Sequence, residues 1–230
     1  VDGTDFTEGT RNINPEDSRE SAPTSKGSCM QTYSHFLMTA ALSRQLSQRQ
    51  ISVSTGAFLM GSVLPDVPFT LLTLVYETYY LWISPLAPSQ TWRSVMEYLH
   101  FDLFYRDPVW IVGDNFFHAP LILLVCGLAG WGLRLRWRWG NALLWLARGA
   151  GLHTLVDIFT HHSDGPLIFF PLNWSYRFGS PISYWEAGYY ARIVSPVEHT
   201  LDLLFLVYLF RAWWRQRSGK VQNFAAKEQS

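Results

Sequence analysis

The chain has 230 residues, enough to bury one sizeable core, and sets 18 Lys and Arg against 18 Asp and Glu for a formal net charge of +0. Only 16% of the residues are charged, whereas 48% are hydrophobic and 16% aromatic, with 11 Trp among them. That balance excludes the basic surface that nucleic-acid binding needs and points towards a bilayer, where Trp and Tyr gather at the interfaces.

Mean hydropathy is only +0.02, but residues 1–29, which hold almost no large apolar side chains, pull it down. Such a segment cannot offset the entropy of its own ordering and is expected to be disordered. It also lacks the apolar central stretch of a secretory leader. Met30 opens the first apolar segment, and one domain is expected over residues 30–216, followed by a disordered tail over 217–230. Cys29 falls in the polar extension and Cys126 in an apolar run, so neither a disulfide between them nor a CxxC motif is expected.

Residues 30–50 have helical composition, with His35 in the first turn and Arg44 and Arg49 near the end, where cations suit the helix dipole. A new element begins at Thr55-Gly56. In GSVLPDVPF, Pro65 and Pro68 bracket Asp66, which predicts a turn or helix break presenting that carboxylate. Four apolar segments cover 67–83, 116–133, 141–160 and 199–214. The middle two approach the ~20 residues that cross ~30 Å of hydrocarbon.

Basic clusters at Arg134, Arg136 and Arg138 and at Arg211, Arg215, Arg217 and Lys220 place both of those ends in the cytoplasm by the positive-inside rule. On that path His118, His161, His162, Asp164 and His199 lie towards the outer ends. If 67–83 also crossed, Asp66 would be left roughly 25 Å away at the cytoplasmic end, so this segment is expected to be interfacial or packed on the spans.

Most of the chemistry sits in LHTLVDIFTHHSDGPLIFFP, residues 152–171, where His and Asp interrupt an apolar run. On a helix His153, Asp157 and His161 fall at about 0°, 40° and 80°, on one face. Two imidazoles and a carboxylate so placed are ligands that zinc accepts. His162 is the alternative to His161, and Asp164 before Gly165-Pro166 adds a ligand, a base or merely a turn former. His199 and Asp202 stand one turn apart, as a further ligand pair or an ordinary capping arrangement.

The order of these motifs resembles the bacterial membrane-bound metal-dependent hydrolase family, which is distantly similar to zinc-dependent phospholipase C. In that family an early TH or GH is followed by LPDxD, by THS before a span, and by LSHxxxDxxT. Here TYSHF supplies His35, VLPDVPF supplies Asp66, NFFHAPL supplies His118, and LHTLVDIFTHH supplies His153 and Asp157. Pro68 replaces the second acidic residue of LPDxD, and Phe117-His118-Ala119 stands for THS. The stretch from His161 to Glu186 is closer to a cyanobacterial subgroup whose members sometimes carry a cobalamin-biosynthesis label. No nucleotide loop or amidotransferase nucleophile supports that label here.

The resemblance implies an all-α, multi-pass integral membrane bundle of the bacterial inner membrane, with a metal site near one interface. His35, Asp66, His118, His153, Asp157 and one of His161 or His162 are its expected ligands. The expected ion is Zn²⁺, with Mn²⁺ or Fe²⁺ as alternatives. The expected activity is hydrolysis of a membrane-associated ester or phosphoester, lipid-derived substrates among them. Asp114, one turn before His118, is expected to orient it, to act as a base, or to cap a helix near Asn115; Asp164 is the other catalytic candidate. A non-catalytic metal-binding or ion-transport protein is the alternative, and a metal-free scaffold the second.

Overall fold

The computed structural model describes residues 32–228, with side chains through Ser218. Cys29 and the expected disorder of 1–29 therefore lie outside the described residues. Among the described residues every regular element is helical, and extended backbone pairs only at the isolated bridge between Leu167 and Arg177.

The chain forms α1 (Thr32–Gln48), α2 (Thr55–Gly61) and α3 (Asp66–Thr78), which winds on as a π-helical turn, Tyr79–Ile83. Next come α4 (Trp92–Glu97), α5 (Pro108–Asn115), α6 (Pro120–Leu133), α7 (Arg138–Thr160) and α8 (Ala191–Glu228). Helix α8 runs past the boundary drawn at residue 216, as a stretch with no proline allows.

Helix α7 is central. Its most apolar stretch is 44% buried, against 6% for that of α8. Leu203, Leu204 and Phe210 of α8 are each more than half exposed, an apolar face suited to hydrocarbon. These two helices are long and apolar enough to cross a membrane. Two bent pairs pass the same test, each taken as one broken span: Thr55–Gly61 with Asp66–Ile83, bent by 48°, and Pro108–Asn115 with Pro120–Leu133, bent by 46°.

Proline chemistry sets the second break. Pro120 pushes the preceding Ala119 out of helical space, to φ −69 and ψ 119, so α6 must restart there. At the first break Pro68 is harmless, because it sits in the opening turn of α3, where its missing N–H would be unpaired anyway. A crossing unit that starts at Thr55 puts Asp66 at its interior break. The interfacial expectation for 67–83 instead starts the unit at Val67, and the bent pair meets the test for a span by length and composition alone.

Helices α2 and α7 meet backbone to backbone. A Cβ on Gly61 would strike the Leu146 carbonyl, and one on Gly149 the Phe58 carbonyl. Small residues at such a crossing are how membrane helices approach closely, and here the approach brings the end of α2 against His153. Helix α6 packs antiparallel on α7, with Gly130 against Leu144 and Gly127 against Ala147.

Helices α3, α4 and α5 close around Val95, Leu99 and Trp110, all fully buried. Asp107 starts α5 by accepting from the amides of Val109 and Trp110 at 2.8 and 3.3 Å. The long loop 161–190 folds over this end of the molecule. Its Leu167 amide donates to the buried Asn115 Oδ1 at 2.7 Å.

Candidate metal centre

Five of the sequence-derived ligands converge where the two helix breaks meet α7. His118 lies in the break before α6, Asp66 opens α3, His153 and Asp157 lie one turn apart on α7, and His35 comes from α1. His35 and His153 are 1% and 0% exposed, His118 6% and Asp157 5%.

Backbone carbonyls fix which ring nitrogens face inward. The His118 Nδ1–H donates to the Asp114 carbonyl at 2.5 Å, and the His153 Nδ1–H donates to the Ser62 carbonyl at 2.8 Å. Both assignments follow from the acceptor, since a carbonyl oxygen takes only a donor. The remaining Nε2 atoms then lie 3.1 Å apart and, in neutral rings, turn lone pairs towards each other.

Two carboxylates crowd the same point. Asp157 Oδ2 lies 2.9 Å from His153 Nε2 and 3.4 Å from His118 Nε2, and Asp66 Oδ1 lies 3.3 and 3.7 Å from the same atoms. Lone pairs and carboxylates gathered this way repel unless a proton or a metal cation sits among them.

The separations fit a metal ion. Ligands about 2.0–2.1 Å from a tetrahedral zinc stand roughly 3.3 Å from one another, and the five distances here scatter around that value. Carbonyl acceptors on the outward ring nitrogens are the usual support for metal-bound imidazoles. Thr32 adds a similar support by donating from Oγ1 to Asp66 Oδ2 at 2.6 Å.

His35 stacks on His153, ring centroids 3.7 Å apart, and its Nε2 lies 3.1 Å from Asp157 Oδ1. Its buried Nδ1 has no hydrogen-bond partner. Two sets of metal-type side chains emerge, His35 with His153 and Asp157, and Asp66 with His118 and His153. They share His153, which has one free nitrogen, so they describe one centre.

The structure places the other candidates around this centre. Helix α7 ends at Thr160, so His161 leaves the helical face expected of it. Its Nδ1 lies 3.1 Å from the Asp157 carbonyl and 3.9 Å from Asp157 Oδ1, and its ring meets Tyr184 edge-on. His162 is engaged elsewhere: Nδ1 faces the Ser180 carbonyl at 2.6 Å and the ring stacks on Tyr189.

Asp114 orients His118 through its main-chain carbonyl, while its carboxylate accepts from Asn115 Nδ2 at 3.0 Å and lies 4.0 Å from Arg177. Asp164 accepts from Trp185 Nε1 at 3.0 Å through Oδ2, and its buried Oδ1 is unpartnered. His199 and Asp202 lie inside α8, where Asp202 and Glu198 each come within 2.9 Å of the Ser34 hydroxyl and tie α8 to α1.

Sequence reasoning missed Arg177 and Tyr105. The Arg177 guanidinium reaches the Gly165 carbonyl and lies over the rings of Phe104 and Tyr105, 4.9 and 5.6 Å from their centroids. Although 38% of Tyr105 is exposed, its hydroxyl end is desolvated, and that burial with the Asp164 charge pushes it up to about 12. Arg177 was the one cation in the loop after the His/Asp motif before residue 190, and that singularity was the available signal.

Fold and centre together define a helical membrane-type protein with a buried His/Asp cluster at the breaks of two bent helices. The family described as YdjM inner membrane protein matches residues 30–225, and the chain belongs to that family. It is accordingly an inner-membrane protein. Neither the curated proteins nor the solved structures contain a match.

Proposed function

We propose that this protein is a membrane-bound metal-dependent hydrolase of an ester or phosphoester, lipid-derived substrates included. The observation that carries the reading is the 3.1 Å approach of two imidazole Nε2 atoms whose outward nitrogens are held by carbonyls. His118, His153, Asp66 and Asp157 hold the ion, and His35 reaches the centre through Asp157. A divalent ion at such a site acidifies water and polarises a carbonyl or phosphoryl oxygen.

The chain's own residues supply the rest. Asp114 and Ser62 position the two imidazoles, and Thr32 positions Asp66. Arg177 and the protonated Tyr105 offer donors to an anionic substrate on the loop side. Asp164 is the carboxylate left for proton transfer there, beside Tyr105 and Arg177. In a multi-pass arrangement the bilayer is the partner, and substrate arrives along it.

The test is turnover by the purified chain in lipid nanodiscs, supplied with Zn²⁺ or Mn²⁺ and a fluorogenic phosphodiester or phospholipid. Metal-dependent product release that His153→Ala abolishes supports the hydrolase. Stoichiometric metal with no turnover of esters or phosphoesters overturns it in favour of a non-catalytic metal-binding protein.

A further inference from the structure

A second polar feature lies far from the metal centre, at the other end of α1. Arg44 follows His35 by nine residues, roughly 13 Å along the helix. There α1 and α8 form an open groove of about 460 Å³ lined by Arg44, Arg211 and Arg215, with Tyr208, Leu204 and Val207 on its walls. No carboxylate lines it among the described residues.

Three guanidinium groups around one groove repel one another, and their arrangement lacks a visible counter-charge. Arg44 makes the imbalance sharper. Its Nη2 reaches the Ala212 carbonyl at 3.4 Å, yet its buried Nε has no partner. A buried donor left unpaired is costly, and with three guanidinium groups and no carboxylate on its walls the groove is short of acceptors.

The surroundings say which acceptor. Trp213 and Trp214, both exposed, lie between Ala212 and Arg215 in the sequence of α8, and Arg217 lies 4.3 Å over the Trp213 ring. Trp and Arg together at the end of an apolar helix mark a membrane interface. Guanidinium forks match phosphate oxygens, and the Leu204 and Val207 wall offers apolar contact to an acyl chain. Basic pockets between membrane helices hold phospholipid headgroups for these reasons.

We infer that this groove binds the headgroup phosphate of an anionic phospholipid. The site stands apart from the metal centre and does not depend on the proposed reaction.

Native mass spectrometry of the full chain tests it, from micelles doped equally with phosphatidylglycerol and phosphatidylcholine. Wild type retains phosphatidylglycerol over phosphatidylcholine by about tenfold or more, as several cations near one phosphate imply. The exposed pair Arg211→Gln/Arg215→Gln brings that ratio towards one without touching the packed Arg44, and Arg217→Gln, on the Trp213 ring, leaves it unchanged. Equal retention of both lipids by wild type, or an unchanged ratio in the Arg211/Arg215 variant, overturns the inference. Displacement of the lipid by millimolar inorganic phosphate assigns the groove to the free anion and overturns the lipid assignment.

Discussion

His118 and His153 turn their Nε2 atoms to within 3.1 Å of each other, while the Asp114 and Ser62 carbonyls hold the opposite nitrogens. The two carbonyls come from two different helix breaks, so breaking α5 from α6 and α2 from α3 is what aims the rings. Neither ring can rotate away without leaving a buried carbonyl unpaired, which costs about 1–3 kcal/mol. The pairing needs a proton or a metal cation between the nitrogens, and on the metal reading proposed above the following outcomes are expected.

Thr32→Val removes the hydroxyl that donates to Asp66 Oδ2 at 2.6 Å while keeping the shape of the side chain. Metal affinity should fall by about 10–100-fold, as losses of outer hydrogen bonds to ligands do, with the melting temperature of the metal-free protein little changed. Competition with a chromophoric chelator measures it. Unchanged affinity would mean that Asp66 is not a ligand.

Asn115→Ala breaks a buried junction between α5 and the long loop, since Asn115 accepts from the Leu167 amide and donates to the Ile111 carbonyl at 2.9 Å. Stability should drop by about 1–3 kcal/mol, with faster proteolysis within 161–190. Denaturant titration in detergent reads the first and limited digestion the second.

Gly149→Leu drives a side chain into the Phe58 carbonyl of α2 and should part the two helices, costing about 1–3 kcal/mol and weakening metal binding through Ser62. Gly151→Ala, where a Cβ meets nothing within 4 Å, should instead be neutral or stabilise by about 0.5–1 kcal/mol. Equal melting temperatures for the two variants would contradict the packing.

Tyr105 has its hydroxyl pushed up to about 12 by burial and the Asp164 charge. Its raised value means the folded state holds the proton more tightly than the unfolded chain, so this contribution is complete below pH ~10 and fades as pH rises towards 12. Subtracting the ultraviolet titration of Tyr105→Phe from that of wild type should show one tyrosine ionising near 12. A difference step near 10 would place the hydroxyl in open water.

Legibility in the sequence followed locality. The i, i+4 spacing put His153 and Asp157 on one helical face, and the Pro65-Asp66-Val67-Pro68 pattern marked a break, because both are facts about a few neighbouring residues. His161 escaped the same reasoning: helix α7 ends one residue earlier, and no spacing rule says where a helix stops when no capping residue announces it. The bent pair that includes Asp66, Thr55–Gly61 with Asp66–Ile83, was hidden for a related reason. The seven-residue α2 is too short to read as part of a span until α7 is seen packed on Gly61. Arg177 and Tyr105 stand 72 residues apart in sequence, and only the folded loop brings their side chains together.

The central claim is that the His118–His153 pair shares a divalent ion, and elemental analysis of the purified chain tests it most directly. Wild type should carry near-stoichiometric metal, His118→Ala and His153→Ala should lose most of it, and His100→Ala should keep it, because His100 packs against Phe69 away from the centre. Wild type free of metal and refractory to reconstitution with Zn²⁺, Mn²⁺ or Fe²⁺ would contradict the account and leave the cluster as a protonated His–Asp network.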